Sequence, residues 1–323
     1  MGRYLVRRTL FMVLVLFIVS LLTFVIFVKL PAGDPARRAA GKAPTPEQIA
    51  NARRAFGLDR PVWVQYARFA KGLVPWPGLF LSEDVYYSYG NFIPVKEEIA
   101  RRLPVSITLG VGAACIWLVL GIPIGILSAI RRNSFSSRSA MLLAIVGVSM
   151  PVFWLGQLLL YVFWFKLGIM PSSGLEIGAS IWDSILQGKF ILPWITVAVG
   201  YAAFYARMVR GNLIETMSDD YIRTARAKGM SERRVIFKHG LRGALTPVVT
   251  MLGLDLATVI SGLFITEALF GLPGVGQLAV LSIGRSDFPM VMGVTVLGAL
   301  FIAIANLVVD VTYAFLDPRI RYT

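Results

Sequence analysis

Residues 103–130 read LPVSITLGVGAACIWLVLGIPIGILSAI, a stretch of 28 residues without one charged side chain. The hydrocarbon core of a bilayer is about 30 Å thick and an α-helix rises about 1.5 Å per residue, so roughly 20 apolar residues cross it. Few soluble helices have an uncharged run of this length. The stretch therefore predicts a membrane-spanning helix.

Similar apolar runs lie on both sides of this stretch. They occupy residues 9–28, 139–165, 190–206 and 288–309. The run at 190–206 is short unless the side chain of Arg207 extends to the membrane interface. A sixth run at residues 243–266 carries one charge, Asp255. The whole chain is 56% hydrophobic and 15% charged, which is too apolar for an ordinary soluble protein. The sequence predicts an all-α polytopic membrane protein with six transmembrane helices.

The net charge of +14 comes from Lys and Arg residues that are unevenly distributed between the loops, and this distribution indicates how the spans are oriented in the membrane. Three Lys or Arg residues precede the first run, three separate the second from the third, nine separate the fourth from the fifth, and two, Arg319 and Arg321, follow the last. The opposite short loops hold only Lys166, Lys189 and Arg285. The positive-inside rule predicts both termini on the cytoplasmic side of the cytoplasmic membrane, and no nucleic-acid partner is expected.

We divide the chain into residues 1–30, an N-terminal tail with the first span, residues 31–102, an extracytoplasmic loop subdomain, and residues 103–323, a five-helix core with a cytoplasmic loop at 211–242. The first run has the basic start of a signal peptide, which is the alternative interpretation. Its length and the lack of an obvious small-x-small cleavage site favour a permanent anchor.

The extracytoplasmic subdomain is expected to hold two short helices. Thr45 is a capping residue with proline next and Gln48 three positions on, so a helix is predicted to run to Phe56 before Gly57. A second helix is predicted from near Pro61 to about Gly72. It is expected to present one face made of Trp63, Tyr66, Ala67 and Ala70.

Residues 218–238 read SDDYIRTARAKGMSERRVIFK, which predicts helix, turn and helix. Aspartates suit the positive end of the first helix, Lys228 suits its negative end, Gly229 permits a left-handed turn, and Ser231 is placed to cap the second helix. The small residues Ala225 and Ala227 leave room for a groove of another protein. From the residues alone, a basic segment lying on anionic lipid remains the alternative.

This loop resembles the EAA-type loop of ABC importer permeases, in which an alanine precedes a glycine by four positions, as Ala225 precedes Gly229. Residues 221–235 closely resemble the dipeptide/oligopeptide branch of that family, and so do LPAGDP at 30–35, RLP at 102–104 and TEALFGLPGVG at 266–276. The chain departs from the general pattern, with Arg223-Thr224-Ala225 in place of Glu-Ala-Ala and with Pro247 later than usual.

The resemblance implies a type I ABC importer transmembrane domain. Its expected partners are a second homologous permease, two cytoplasmic ATPase subunits that bind ATP and Mg, an extracytoplasmic substrate-binding protein and membrane lipid. The residues expected to contact an ATPase are Asp220, Tyr221, Ala225, Arg226, Ala227, Lys228, Gly229, Ser231 and Arg234. The expected cargo is a di- or oligopeptide, although related permeases of nickel chelates, haem or glutathione share the motifs.

This chain has no Gly-x-x-x-x-Gly-Lys-Ser/Thr motif, so it is not expected to hydrolyse ATP itself. No cofactor, metal or catalytic residue is predicted on it. His239, the only histidine, is interpreted as a solvated helix residue, and Cys115 as a small core residue.

Asp255 needs a protein-lined or wet surface, because an ionised carboxylate in hydrocarbon costs at least about 2.5 kcal/mol. We consider that it lines the translocation path, with Met150 and Gln157, and favours a cationic group. The alternative is an interhelical hydrogen bond or a protonated acid. Two other classes stay open, a secondary transporter and an intramembrane aspartyl protease pairing Asp255 with Asp310.

Other features concern helix shape. Pro123, Pro151 and Pro193 are expected to interrupt helices, and the spacing of Gly121 and Gly125 permits close helix contact. Glu267 and Asp287 flank a segment in which Pro273, Gly274 and Gly276 indicate a tight or re-entrant turn.

Overall fold

The computed structural model describes residues 2–29, 34–41, 43–72, 87–89 and 92–316 and is almost entirely α-helical. Four helices are long and apolar enough to cross a membrane, and two bent helix pairs bring the number of spans to six. The predicted all-α membrane fold with six spans is confirmed in this form. Part of the LPAGDP motif, residues 30–33, and the basic residues Arg319 and Arg321 lie outside the described residues.

The described residues form the following helices along the chain. They are α1 (Gly2–Phe24, extended by a wider turn at Val25–Lys29), α2 (Pro35–Ala39), α3 (Pro46–Ala55), α4 (Val62–Lys71), α5 (Val95–Ile130), α6 (Phe135–Ser149), α7 (Val152–Leu159, extended by Leu160–Lys166), α8 (Ile181–Leu186), α9 (Ile191–Thr216), α10 (Asp220–Ala227), α11 (Glu232–Arg234, extended by Val235–Gly240), α12 (Leu241–Ala244), α13 (Thr246–Ile260), α14 (Phe264–Leu269), α15 (Val275–Gly284) and α16 (Phe288–Leu316).

Helices α5 and α9 pack closely at the centre of the core. A Cβ atom on Gly121 would lie 2.9 Å from the Ala202 carbonyl oxygen, and one on Gly125 would lie 2.7 Å from the Ala206 carbonyl oxygen. Helices in a membrane associate through such close backbone approach, because lipid gives them no hydrophobic drive to pair. The predicted role of these glycines is confirmed.

The prolines behave differently from the prediction. Only Pro151 interrupts a helix, where α6 and α7 meet at an angle of 102°. Pro123 lies inside the continuous helix α5, and Pro193 lies in the first turn of α9. Proline is tolerated in a first turn because the N–H that it lacks has no intrahelical acceptor there.

The run at 243–266 does not form one straight span. It contains α13, which ends at Ile260, and the chain then turns at Gly262, whose φ of 127° favours glycine. A Cβ atom on Gly262 would lie 2.6 Å from the Cα of Gly276, so the two backbones meet without side chains between them. This contact is tertiary and was not visible in the apolar pattern.

The two helices predicted within residues 31–102 occur, but one predicted face is wrong. Thr45 and Gln48 form the reciprocal capping box at the start of α3. In α4, Tyr66 and the buried Phe69 pack against Phe24 of α1, whereas Trp63 is 73% exposed and Ala67 is also exposed. The stripe that meets the membrane helix is therefore displaced from the predicted one.

Asp287 links the segment that precedes α5 to the core. Its carboxylate accepts hydrogen bonds from the Ser88 hydroxyl and from the backbone N–H of Tyr89, at 3.0 Å for the latter. Phe56 of the preceding segment packs edge-on against the Tyr89 ring, with centroids 4.9 Å apart. One buried acid at the start of α16 thus holds residues 88–89 in place.

Candidate functional site

The loop at residues 211–242 folds as a compact helical unit. Helix α10 is followed by Gly229, whose φ of 74° is the left-handed turn expected of glycine, and α11 begins three residues later, at Glu232. Ile222 and Val235 are fully buried and Ala225 is 7% exposed, and the three form a small apolar cluster beneath the turn. The helix-turn-helix prediction is confirmed.

A bidentate ion pair crosses the turn. The Arg226 guanidinium donates from Nε and Nη2 to the two carboxylate oxygens of Glu232, at 3.1 and 2.7 Å. The guanidinium lowers the pKa of Glu232, and the carboxylate raises that of Arg226. Parallel hydrogen bonds of this kind fix the relative orientation of two groups, so the pair sets the angle between α10 and α11.

The loop is also packed against the membrane helices. Gly240 sits against Met217, and a Cβ atom on Gly243 would lie 3.0 Å from the Tyr221 hydroxyl and 3.1 Å from the Thr216 side chain. Partial burial raises the pKa of Tyr221, and the Asp219 carboxylate adds to the effect. Helix α10 is therefore attached to the end of α9 and to the start of the next membrane segment.

Most residues predicted to contact an ATPase are on the surface of the loop. Those exposed are Asp220, Tyr221, Arg226, Ala227, Lys228, Gly229, Ser231 and Arg234. Ala225 is the exception, because it is buried in the apolar cluster inside the loop, and its contact with a partner stays a prediction. Ser231 occupies the capping position of α11, but its side chain makes no capping hydrogen bond.

His239 is not the solvated residue that the sequence suggested. It is half-buried in the extension of α11, and its Nε2 is buried without a hydrogen-bond partner. The extension is wound more widely than an α-helix, and this local winding is not visible in the residue pattern. Cys115 is likewise exposed on α5 rather than buried in the core.

Asp255 makes an interhelical hydrogen bond. The Tyr205 hydroxyl of α9 donates to its Oδ2 at 2.7 Å, and Tyr205 itself is fully buried. Asp310 does not approach it, since that residue forms a salt bridge with Arg8 at 2.9 Å between the ends of α16 and α1. Asp255 and Asp310 therefore do not form the aspartate pair of an intramembrane protease.

The two other path candidates lie beside the α6–α7 bend. Met150 is the residue at the end of α6 and lines an apolar groove of about 470 Å³ with Pro151, Phe153 and Trp154. Gln157 is exposed on α7. Asp255 is not among the groove residues, so the structure does not gather the three candidates into one site.

The buried carboxylate of Glu267 connects α14 to α5 and α15. The sequence indicated this residue only as one that flanks a turn. Glu267 has no exposed surface; its carboxylate accepts hydrogen bonds from the Ser106 hydroxyl of α5 and the Gln277 N–H of α15, both at 2.7 Å. The Ser106 hydroxyl in turn accepts a hydrogen bond from the Val275 N–H at 2.9 Å. A lone serine in an apolar run was the signal available for this network.

The fold and the loop together define the membrane subunit of a transporter, and comparison with known proteins gives the family. Residues 121–322 match the model of binding-protein-dependent transport system inner membrane components, and residues 1–110 match the N-terminal model of the same systems. The chain belongs to this family and is a permease subunit of an ABC importer, embedded in the inner membrane by several spans. No catalytic enzyme family is indicated.

Relatives match along the full chain. The glutathione transport system permease protein GsiC of Salmonella paratyphi A is 40% identical over 323 residues, which is 100% of both chains. GsiC of Escherichia coli K12 is 38% identical over the same length. A chain of the inward-facing MetNI methionine ABC transporter superposes with a TM-score of 0.55 at 22% identity, covering 69% of this chain and 98% of that chain, which supports the fold.

Proposed function

We propose that this chain is one of two permease subunits of an ATP-driven importer of small peptides. The observation that carries the proposal is the full-length similarity to permeases named for glutathione transport, since glutathione is a tripeptide. The closely matching loop at 221–235 points to the same branch. The remaining subunits are a second homologous permease, two ATPases and a substrate-binding protein outside the membrane.

In this proposal the chain itself binds no nucleotide. ATP and Mg are held by the partner ATPases, whose closure moves the cytoplasmic loop and switches the paired permeases from inward-open to outward-open. Both termini face the cytoplasm, as the distribution of Lys and Arg favours. Asp255, Met150 and Gln157 are retained as candidates for the path between the two permeases.

Uptake by a reconstituted complex tests the proposed cargo. The chain is co-expressed with its partner subunits, placed in liposomes, and supplied with ATP and a binding protein loaded with labelled glutathione or tri-alanine. We expect accumulation of at least one of these peptides that stops when ATP is withheld. Transport driven by a proton gradient without ATP would instead favour a secondary transporter.

The exposed side of the loop is proposed to be the contact with an ATPase. Ala227, Lys228 and Ser231 present small or cationic groups around the Gly229 turn, and the apolar cluster and the Arg226–Glu232 pair hold this surface in shape. Arg226 therefore acts mainly on the conformation of the loop rather than as a free surface charge.

A cysteine at position 227 is expected to crosslink to a co-expressed ATPase. The experiment starts from Cys115→Ala, because the native thiol is exposed, and compares Ala227→Cys with Ala225→Cys under a short bifunctional reagent. Ala227 is on the surface whereas Ala225 is 7% exposed, so we expect crosslinking at least tenfold stronger from position 227. Mass spectrometry of the product identifies the partner.

Equal yields from positions 225 and 227, or none from position 227 in a complex that still transports, would remove the loop from the ATPase contact.

A further inference from the structure

Three aromatic side chains form a contiguous group with the carboxylate of Asp255 on α13. Tyr201 and Tyr205 are one turn apart on α9, and Trp117 of α5 stacks on the Tyr201 ring with centroids 4.5 Å apart and planes inclined by 23°. The Trp117 and Tyr205 ring centroids are 6.1 Å apart. The Tyr205 hydroxyl donates to Asp255 Oδ2, so the group joins residues of α5, α9 and α13.

Burial divides these four residues into two pairs. Trp117 and Tyr205 are fully buried, whereas Tyr201 and Asp255 are partly exposed. The buried pair therefore orients the other two: Trp117 covers one face of the Tyr201 ring, and Tyr205 holds one oxygen of the carboxylate. Tyr201 and Asp255 therefore keep part of their surfaces accessible, and no described residue donates a hydrogen bond to Oδ1 of Asp255.

The buried part of this group is not fully satisfied. Trp117 Nε1 is buried and has no hydrogen-bond partner, although it comes close to the Tyr205 hydroxyl without meeting it as a hydrogen bond. Buried indole N–H groups usually find a partner.

The partly exposed pair has the chemistry of an ammonium site. A carboxylate forms charge-assisted hydrogen bonds with N⁺–H donors, and the face of a tyrosine ring attracts a cation. Both attractions are strengthened where water is scarce. An ammonium also offsets the cost of keeping an ionised acid at mid-membrane depth.

We propose that Tyr201 and Asp255 form a binding site for a primary ammonium group, with Trp117 and Tyr205 as positioning residues. The inference rests on the proposed function, since the ammonium belongs to the transported peptide. Either the amino terminus or a lysine side chain supplies it, and both present the same –NH₃⁺ to the site.

The test measures peptide delivered per ATP hydrolysed by the reconstituted complex, with the binding protein loaded beforehand. The probes are tri-alanine, Nα-acetyl-tri-alanine and Nα-acetyl-Ala-Lys-Ala, which carry an α-ammonium, none, and an ε-ammonium. For Asp255→Asn we expect delivery of tri-alanine to fall about tenfold and that of acetyl-tri-alanine to stay at the wild-type level. A parallel fall for acetyl-Ala-Lys-Ala shows that a lysine ammonium also uses the site, and no fall restricts it to the amino terminus.

Variants of the ring provide a second, independent measurement. Tyr201→Phe keeps the aromatic face, whereas Tyr201→Leu removes it and is expected to lower the delivery of tri-alanine several-fold below that of Tyr201→Phe. Asp255→Glu is expected to retain delivery, and Asp183→Asn on the exposed face of α8 is the neutral control. ATP hydrolysis stimulated by the binding protein shows that each complex has assembled.

Two results would overturn this inference without affecting the proposed function. In the first, Asp255→Asn lowers the delivery of free and acetylated tri-alanine equally; in the second, it lowers the delivery of neither. Loss with Tyr201→Phe equal to that with Tyr201→Leu also contradicts it. If the wild-type complex delivers no peptide at all, the proposed function fails first and the inference fails with it.

Discussion

Glu267→Ala is expected to lower the melting temperature of the purified complex by roughly 5–10 °C. The substitution strands two buried donors, the Ser106 hydroxyl and the Gln277 N–H, each at a cost of about 1–3 kcal/mol, and leaves a cavity at a site with no exposure. A cost of about 3–5 kcal/mol is the range for an interrupted buried network. Melting is followed by intrinsic fluorescence in detergent.

Two further variants make the measurement specific. Glu267→Gln keeps one acceptor oxygen but places an NH₂ group against donors, so we expect it to lower the melting temperature less than Glu267→Ala does. Glu176→Ala removes an exposed carboxylate and is expected to leave the melting temperature unchanged. A Glu267→Ala complex that melts with the wild type would mean that the network contributes nothing to the outer face.

Gly125→Leu is expected to prevent stable assembly of the chain. A Cβ atom alone would lie 2.7 Å from the Ala206 carbonyl oxygen and 2.7 Å from the Val209 Cβ, both on α9, so even Gly125→Ala requires the helices to separate. Overpacking of this kind costs about 1–3 kcal/mol for small additions and more for large ones. Size-exclusion chromatography and melting of the solubilised protein report the effect.

Gly200→Ala is the matched control, since nothing lies within 4 Å of a Cβ atom at that position of α9. It is expected to be neutral or slightly stabilising, because alanine is the better helix former by about 1 kcal/mol. Normal assembly of Gly125→Leu would contradict the close approach of α5 and α9.

Local chemistry made several features predictable. Helix caps and turns depend on near neighbours in the chain, so the Thr45–Gln48 capping box and the left-handed Gly229 were visible in the residues. The lengths of the apolar runs gave the number of spans. Gly121 and Gly125 indicated close packing through their spacing, although not which helix they would meet.

The remaining features are decided by contacts between distant segments. The end of α13 at Ile260 depends on Gly262 meeting Gly276, and the direction of Ala225 depends on which side of α10 Val235 covers. Tyr205 was not singled out, because a tyrosine in an apolar run is ordinary until its hydroxyl is placed opposite Asp255. Hydropathy and helix period carry no information about such pairings.

The Tyr205–Asp255 hydrogen bond also sets how a displacement of the cytoplasmic loop would be distributed. Helix α9 precedes the loop and α13 follows it. The hydrogen bond between Tyr205 and Asp255 connects these two helices at a distance from the loop. The loop connects the two helices through the chain, and the hydrogen bond connects them a second time. A displacement of the Gly229 turn would therefore move both helices, and any difference between their movements would displace Tyr205 relative to Asp255.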